Sequence, residues 1–276
     1  MDAPLKQVFF PASFQELFSV WNRYPDAVPF AGGTGLIRSQ GRQTFELPPI
    51  ILCLDKLEEL RRIRRSERYL EIGAMVTLNQ IIRLGKIVPE ILTRCLENIA
   101  GVQLRNIATI GGNICSPSRR MDSTAALAAL DVQFELRNAQ SSRWISASRF
   151  FSLPGLTAFK SQELLTRVRI PLDQWDYSAY KKFSGQDASR NAAIFMIKTQ
   201  KSILTDLRVV YKTSTLLRHK ESEALLIGKQ LPLSRRNIAD FTGQWGNFLS
   251  DIGNLDDLSK KELLNFIEFH IHNLAE

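Results

Sequence analysis

The chain has 276 residues, of which 44% are hydrophobic, and this is enough for one large domain or two ordinary ones with a sizeable buried core. We find no apolar run of the ~18 residues that a membrane-spanning helix requires, and residues 1–10 lack the basic and then long apolar segments of a secretory signal. The net charge is +8, but no nucleic-acid-binding motif accompanies the basic run 61–65, so a solvated face, an anionic cofactor or an acidic partner is favoured over nucleic acid.

Cysteine usage bears on the compartment and on metal binding. The cysteines are Cys53, Cys95 and Cys115, and no two have the C-x-x-C spacing of a metal or redox motif. An odd number of widely spaced cysteines fits a reducing cytoplasm and argues against a disulfide framework or a cysteine-held cluster within this chain. We therefore expect a cytoplasmic protein without a metal site of its own.

The first segment of the chain predicts a strand, a helix and a second strand that runs into a glycine turn. Ser13 is placed to cap the helix, with Glu16 as the reciprocal partner of a capping box. Apolar side chains recur at helical spacing, at Phe14, Leu17, Phe18 and Trp21.

Two strands and two helices follow. Segments 48–54 and 69–76 are apolar enough for buried strands. Segment 77–87 predicts a helix capped by Thr77. Segment 89–101 predicts a helix with a proline in its first turn and Gly101 just past its end.

A change of pattern after residue 171 indicates a second unit. Before it, segment 122–136 predicts a short helix and a strand, and segment 163–171 predicts a strand that Pro171 ends. Three successive strands are then predicted, at 177–183, 191–200 and 204–213. Three helices are predicted after them, at 216–228, 234–250 and 259–276. Strands followed by helices are typical of an α+β unit with its helices gathered on one face.

Two glycine-rich loops leave apolar segments, AGGTGL at 31–36 and TIGGN at 109–113. Adjacent glycines let backbone N–H groups approach a ligand closely, and several such groups in one concavity bind an anion. Neither loop is a Walker loop or a Rossmann fingerprint. One such loop is often only a tight turn. Two of them, with Thr34, Thr109 and Asn113 as side-chain partners, favour a cradle for the diphosphate of a nucleotide cofactor.

The same residues carry a family resemblance. "PFAGGTGLI" resembles the AGGTDL loop, and "RNIATIGGNI" with the later "DSTAALAALD" resembles the RN-ATIGGNI and D(S/T)-ALLALD segments, of the FAD-binding subunits of molybdenum hydroxylases of the xanthine dehydrogenase and carbon monoxide dehydrogenase type. "LEIGAMVTLNQI", "ELLTRVRIP", "YKKF" and "LLRHKESEALLIGK" match that family in order. The resemblance covers nearly the whole chain, from about Phe9 to Lys229.

This resemblance implies an α+β fold of two domains. Residues 1–173 would form an FAD-binding domain of the PCMH type, made of two α/β subdomains. Residues 174–276 would form a smaller C-terminal domain of the carbon monoxide dehydrogenase flavoprotein type, with a three-stranded sheet and helices.

The resemblance also implies cofactor contacts. The first diphosphate loop would consist of Ala31, Gly32, Gly33, Thr34, Gly35 and Leu36. The second would consist of Thr109, Ile110, Gly111, Gly112 and Asn113, with Ile110 also near the flavin ring. Three further residues match an aspartate, a leucine and a lysine close to the flavin: Asp122, Leu165 and Lys182. Each of these three also has a purely structural interpretation, as a helix cap, a core residue and a solvated lysine respectively.

The sequence departs from the family pattern at three places. Gly35 stands where the family's AGGTD has a carboxylate, and "CSPSRR" replaces the usual N-A-S-P, which adds Arg119 and Arg120 beside the expected cofactor. Gln186 lies near the place where an arginine often follows the lysine strand. These changes bear on the electron acceptor and on flavin reactivity more than on the fold.

In the family that the chain resembles, the flavin is a relay. Substrate is hydroxylated at a molybdopterin site in a second subunit, electrons pass through iron–sulfur clusters in a third, and FAD passes them on, commonly to NAD. The expected role is thus an oxidoreductase subunit, active within a complex, in which the protein positions a cofactor. Lys182 would stabilise the negative charge of the reduced flavin.

Non-covalent FAD is expected, because the N-terminal part has no histidine that could form a covalent link: the histidines are His219, His270 and His272. Cys115 is the one remaining candidate for attachment, and we do not expect it to be used. Three alternatives remain open. They are a stand-alone flavin oxidase of the vanillyl-alcohol-oxidase fold, a degenerate scaffold subunit that has lost FAD, and a non-flavin nucleotide-binding module.

Overall fold

The computed structural model describes residues 6–36, 46–116, 123–153, 158–183, 191–252 and 255–274. The chain begins with a small parallel sheet of three strands. Helix α1 (Phe14–Arg23) connects β1 (Gln7–Phe9) to β2 (Val28–Phe30), and β3 (Ile50–Cys53) lies between the two strands. The predicted strand, helix and strand are therefore confirmed, and β2 leads directly into the first glycine loop.

Local caps explain where the early helices begin. The Ser13 hydroxyl accepts the N–H of Glu16, as predicted, but the Glu16 carboxylate accepts the N–H of Ala12 and not that of Ser13. Thr77 caps its helix with a complete capping box, because its hydroxyl accepts the Gln80 N–H and the Gln80 Oε1 accepts the Thr77 N–H.

A five-stranded antiparallel sheet forms the second layer of the N-terminal part. Its strands are β4 (Ile63–Arg65), β5 (Tyr69–Gly73), β6 (Gln133–Arg137), β7 (Ser142–Ser146) and β8 (Leu164–Pro171). They are ordered β4-β5-β8-β6-β7. Because side chains alternate between the faces of a strand, Val168 and Ile170 enter the core while Arg167 and Arg169 lie on the outer face.

In the described part of the chain, six short helices with defined bounds accompany these two sheets. They are α2 (Leu78–Arg83), α3 (Glu90–Glu97), α4 (Val102–Arg105), α5 (Ile110–Ile114), α6 (Ser123–Ala129) and α7 (Ala147–Ser152). Single 3₁₀ turns lie at Glu58–Arg61 and Gly85–Ile87.

The C-terminal part is an antiparallel sheet followed by helices. The strands are β9 (Tyr177–Lys182), β10 (Ala192–Gln200), β11 (Ile203–Lys212) and the two-residue β12 (Leu216–Leu217), in the order β12-β11-β10-β9. The helices are α8 (Lys220–Leu226), α9 (Arg235–Asp251) and α10 (Asp257–His272).

This sheet is covered on both faces. Ile194, Met196 and Val210 pack into the core of the N-terminal part, whereas Phe195 and Tyr211, of opposite parity, pack with the helices of the C-terminal part. The sequence of a strand that is buried on both faces is a continuous apolar run and does not alternate between apolar and polar residues. The prediction of an α+β fold, with the last three helices on one face of the sheet, is confirmed. The predicted three-stranded sheet is wrong by one strand, because Leu216–Leu217 pairs with β11 as a fourth.

Some predicted boundaries were wrong. The helix predicted from residue 216 begins at Lys220, because Leu216–Leu217 pairs with β11 instead. The helix predicted over 89–101 ends at Glu97, and Gly101 instead precedes helix α4. Strand β7 and helix α7 were not predicted. The division at residues 173 and 174 stays a prediction.

The two parts of the chain are joined by an ion-pair cluster. The Arg208 guanidinium of β11 donates to the Ala129 carbonyl at the end of α6 (2.6 Å) and pairs with Asp131 (2.8 Å) and Asp206 (3.0 Å). The Arg218 side chain also approaches Asp131, at 3.5 Å. Among the described residues, no helix is both long and apolar enough to cross a bilayer.

Candidate functional site

The first glycine loop owes its shape to Gly33. The backbone of this residue has a φ of +68°, which L side chains rarely adopt, and a Cβ atom there would lie 2.6 Å from the Phe30 ring. Glycine is therefore required at this position for both conformation and space. The turn reverses the chain at the end of β2, and a helical turn begins at residues 34–36.

Gly32 brings the two loops together. A Cβ atom on Gly32 would lie 2.0 Å from the carbonyl oxygen of Ile107, which is two residues before Thr109. Only a glycine lets the backbone of the first loop pack directly on the segment that leads into the second. The two glycine loops, far apart in the sequence, are thus neighbours in the fold, as the diphosphate hypothesis requires.

The first loop has unused hydrogen-bond donors. Within the described part of the chain, the backbone N–H groups of Gly32, Gly33, Thr34 and Gly35 donate to no protein acceptor. Gly35 is exposed, and no atom of the protein lies within 4 Å of the place that a Cβ atom on this residue would occupy. Consecutive N–H groups of this kind at the start of a helical turn are a favourable place for an anion.

The second loop is different, because its N–H groups are already bonded within the protein. Thr109 caps α5 by accepting the Gly112 N–H at 3.1 Å. The N–H of Ile110 donates to Val76 and that of Gly111 donates to Ala74, both at 2.9 Å. This loop therefore presents a rigid wall, and not an open set of N–H donors.

The two glycines of the second loop have separate roles. A Cβ on Gly111 would lie 2.8 Å from both the Cβ and the carbonyl oxygen of Ala74, so this glycine is needed for packing inside the protein. Gly112 is exposed, and only the Thr109 hydroxyl comes near the place of its Cβ, at 3.0 Å. Gly112 does not have a positive φ, because the residue lies inside helix α5.

Asn113 connects the second loop to the next helix. Its side chain is buried, and its Oδ1 accepts a hydrogen bond from the Ser123 hydroxyl at the start of α6. Asp122, Arg119 and Arg120 lie outside the described residues.

Two residues just before the second loop hold it in place, and sequence reasoning assigned them no role. The Arg105 Nη1 donates to the carbonyls of Glu97, Ile99 and Ala100, at 2.8, 3.1 and 2.6 Å. The Asn106 Oδ1 accepts the Asn79 Nδ2 at 2.5 Å. The Arg-Asn pair in the motif thus ties the loop to α3 and α2, a long-range role that local pattern does not reveal.

Leu165 and Lys182 lie on elements that contact this region. Leu165 is buried in the core on β8, and the next residue, Thr166, accepts the N–H of Ala74, whose carbonyl holds Gly111. The Lys182 Nζ donates to the carbonyl of Asn98 at 3.1 Å, just past the end of α3, where the negative end of a helix dipole favours a cation. A flavin contact by either residue stays a prediction.

The Cys115 thiol is poorly suited to a covalent link. Burial raises its pKa to about 12, so almost none of it is the reactive thiolate at neutral pH. Two of the histidines are engaged elsewhere: His270 Nδ1 contacts the Tyr177 hydroxyl at 2.6 Å and His219 Nδ1 contacts the Ser222 hydroxyl at 2.6 Å. No described cluster of histidine, cysteine and acidic side chains could hold a metal ion.

One large cleft is separate from the glycine loops. It has a volume of about 730 Å³ and lies between α3, β9 and α10, with Arg94, Lys181 and Phe269 among its lining residues. Burial, and then the charge of Lys181, lower the pKa of His270 on its wall. None of the predicted cofactor residues lines this cleft.

Comparison with known proteins identifies the family. Residues 4–173 match the family described as "FAD binding domain in molybdopterin dehydrogenase". The chain is 27% identical to the nicotinate dehydrogenase FAD-subunit of Eubacterium barkeri, over 82% of this chain and 81% of that protein. It is 25% identical to the nicotine 6-hydroxylase medium subunit of Paenarthrobacter nicotinovorans, over 91% of both.

Solved structures share the fold. A chain of quinoline 2-oxidoreductase from Pseudomonas putida 86 superposes with a TM-score of 0.81 at 22% identity, over 100% of this chain and 98% of that one. A chain of carbon monoxide dehydrogenase from Hydrogenophaga pseudoflava superposes with a TM-score of 0.79 at 23% identity, over the same shares. The protein therefore belongs to the FAD-binding domain family of the molybdopterin dehydrogenases, whose members are oxidoreductase subunits of molybdenum hydroxylases.

Proposed function

We propose that this chain binds FAD without a covalent bond and transfers electrons within a molybdenum hydroxylase complex. The observation that supports this most is the first glycine loop, with four consecutive N–H groups that donate to no described protein acceptor. A diphosphate supplies the acceptors that such a loop lacks. Gly32 sets this loop against the second one, so a ligand held by the first is also bounded by the second.

Residues of the two loops would contact the cofactor from opposite sides. The N–H groups of 32–35 would hold the diphosphate, and Thr34 adds a hydroxyl at the same turn. Ile110 and Gly112 would form the opposite wall, where the exposed Gly112 leaves room for close approach. Asn113, fixed by Ser123, would orient the start of α6 beside the cofactor.

When bound, FAD supplies the redox chemistry, because the flavin takes up and releases electrons singly or in pairs. The chain itself would hold and orient this group and limit the access of water. Leu165, buried on β8, would contribute to the apolar side of the pocket, and Lys182 would add a positive charge near it. Asp122 completes the proposed set.

The proposed partners are an iron–sulfur subunit and a molybdopterin subunit. The relatives named above are a FAD-subunit and a medium subunit, which are names for parts of a larger enzyme. The carbon monoxide dehydrogenase structure is of a form that lacks the Mo-pyranopterin moiety of its molybdenum cofactor. Electrons would enter from iron–sulfur clusters and leave to NAD or to another acceptor. Gly35, in place of the family's carboxylate, is the residue that most bears on the choice of acceptor.

The electron-transfer half of this proposal can be tested on the isolated flavoprotein with NADH in a stopped-flow spectrophotometer. Bleaching of the flavin band would identify NAD as the acceptor. Bleaching by dithionite but not by NADH would retain the relay and point to another acceptor. Oxidation of xanthine or an aldehyde by this chain alone would contradict the relay function.

A further inference from the structure

The outer face of the five-stranded sheet takes no part in the proposed function so far. At its edge lies β4, within a segment, 61–68, in which five residues are arginine and none is lysine. The whole segment is exposed. Edge strands that only need protection from aggregation commonly carry lysine, whereas arginine is enriched and lysine depleted in protein interfaces. The composition of this edge therefore favours a binding role.

Three arginines of this face line one pocket of about 140 Å³. They are Arg62, Arg64 and Arg167, and Glu59 and Glu71 complete the lining. Arg167 already pairs with Glu71 at 2.9 Å. Within the described part of the chain, neither Arg62 nor Arg64 forms an ion pair. A carboxylate that entered this pocket would thus meet two guanidinium groups able to donate charge-assisted hydrogen bonds.

Aromatic rings beside the pocket hold a further arginine in place. The Arg169 guanidinium lies 3.9 Å from the centre of the Trp144 ring and 5.5 Å from that of Tyr69. It also pairs with Glu71 at 2.7 Å. Tryptophan, tyrosine and arginine are the residue types that contribute most to the binding energy of protein interfaces. The face therefore offers rigid anchors next to the two arginines whose charge is not balanced.

The pocket is connected to the second glycine loop. The N–H of Gly73 donates to the carbonyl of Arg62 at 2.8 Å, and Gly73 is the register partner of Arg167. The next residue, Ala74, accepts the N–H of Gly111 at 2.9 Å. Two consecutive residues thus join the arginine pocket to the loop, so a partner docked on this face would lie near the proposed cofactor site.

We propose that this face binds an acidic surface of another subunit of the hydroxylase complex, which inserts a carboxylate between Arg62 and Arg64. This rests on the proposed function, because it assigns the surface on which a partner subunit docks. Charge complementarity supports it, since the chain has a net charge of +8 and this edge is its densest run of cations. Complementary charges of this kind set the orientation of a partner and speed its association.

The test titrates the full chain with its iron–sulfur subunit and with its molybdopterin subunit, each purified, by isothermal titration calorimetry at low and at high salt. Arg62→Glu and Arg64→Glu reverse the two unbalanced charges. Arg236→Glu is the matched control, because the Arg236 side chain is 91% exposed on α9 and the net charge changes by the same amount. We expect each reversal to weaken the binding of one subunit at least tenfold at low salt, and less at high salt, where ions screen the attraction. The control should stay within threefold of wild type.

Arg64→Lys tests whether a carboxylate occupies the pocket. Lysine keeps the charge but lacks the planar guanidinium that binds a carboxylate through two parallel hydrogen bonds. This variant should therefore bind the subunit at least threefold more weakly than wild type. FAD affinity should be unchanged in every variant, because none of the altered residues belongs to the proposed cofactor site.

Unchanged subunit affinity in both charge-reversal variants would overturn the proposal. Binding of a short DNA duplex that both variants lose, while both subunits still bind them, would also overturn it. If a reversal variant does not fold, Arg62→Gln or Arg64→Gln replaces it with the same expected direction. A wild-type chain that binds neither subunit would instead contradict the proposed complex itself.

Discussion

At the scale of single residues, the glycines of the two loops fall into two classes. Gly32 and Gly111 are needed because backbone atoms of Ile107 and Ala74 occupy the space of a side chain. Gly35 and Gly112 are exposed and face outward. The sequence predicted the importance of both loops, but not this division, because the clashes come from residues that are distant in the chain.

The first prediction compares these classes. Gly32→Ala should lower the free energy of unfolding by ~3 kcal/mol, because its Cβ would meet the Ile107 carbonyl at 2.0 Å. Gly35→Ala should stay within ~0.5 kcal/mol of wild type, since nothing lies within 4 Å of the new atom. Denaturant unfolding followed by circular dichroism measures both, and equal stabilities would contradict the close packing of Gly32 on Ile107.

A second prediction concerns Gly112. Gly112→Val should leave the chain folded, because the site is exposed, but should reduce FAD affinity at least tenfold by filling the wall of the proposed pocket. Flavin fluorescence titration measures this. Gly228→Val is the control, since a φ of +83° makes it cost ~1–3 kcal/mol of stability while sparing the loops. Equal FAD affinity in wild type and Gly112→Val would refute the role of this loop.

At the scale of elements, the amphipathic helix α1 was predictable, because its apolar pattern reflects burial directly. The same holds for six strands of the two large sheets, β5, β6, β8, β9, β10 and β11. The caps at Ser13 and Thr77 were predictable because a cap depends only on the residue types at the start of the helix. Strand β7 was missed because "SSRWIS" has little apolar alternation and is held by pairing with β6. The clamp by Arg105 on the end of α3 depends on tertiary contacts, which no local pattern specifies.

The ion pair of Glu163 with Arg143 gives a pH prediction at this scale. Burial raises the pKa of the Glu163 carboxyl, but the Arg143 guanidinium and the Lys160 N–H outweigh it, so the pKa lies below its ordinary value. Because the pKa is lowered in the folded state, ionised Glu163 stabilises the fold at pH values above its ordinary pKa, near 4.5. This stabilisation is lost as the pH falls through the folded-state pKa.

Glu163→Gln should therefore cost ~3 kcal/mol at pH 7 and much less in acid. Unfolding midpoints of wild type and variant, measured between pH 7 and pH 3, should converge as the pH falls. A difference that stays constant over this range would show that the charge of Glu163 contributes nothing. Glu90→Gln is the matched control, because its pair with Arg94 is exposed.

At the scale of the whole molecule, the described residues of the proposed cofactor site all belong to the N-terminal part except Lys182, which lies on the C-terminal sheet. Sequence resemblance predicted the family, and the family match confirms it. It could not predict that Arg208, Arg218 and Asp131 would fasten the two parts together, because these residues belong to different segments.

This connection predicts the effect of Asp131→Asn. Asparagine tolerates the positive φ of 51° at this position, so the change removes charge without new backbone strain. We expect a loss of ~1–2 kcal/mol and a broader thermal transition, because the two parts would unfold less cooperatively. Calorimetry measures this, and an unchanged, single sharp transition would contradict the role of Asp131 as an inter-part contact.

The central claim is that this chain binds FAD non-covalently between its two glycine loops. The most direct measurement is the absorption spectrum of the purified chain before and after FAD reconstitution, followed by acid precipitation. The account predicts a flavin spectrum at about one FAD per chain, with the yellow colour released to the supernatant. Colour retained in the pellet would contradict non-covalent binding, and a folded, colourless chain that takes up no added FAD would contradict the claim itself.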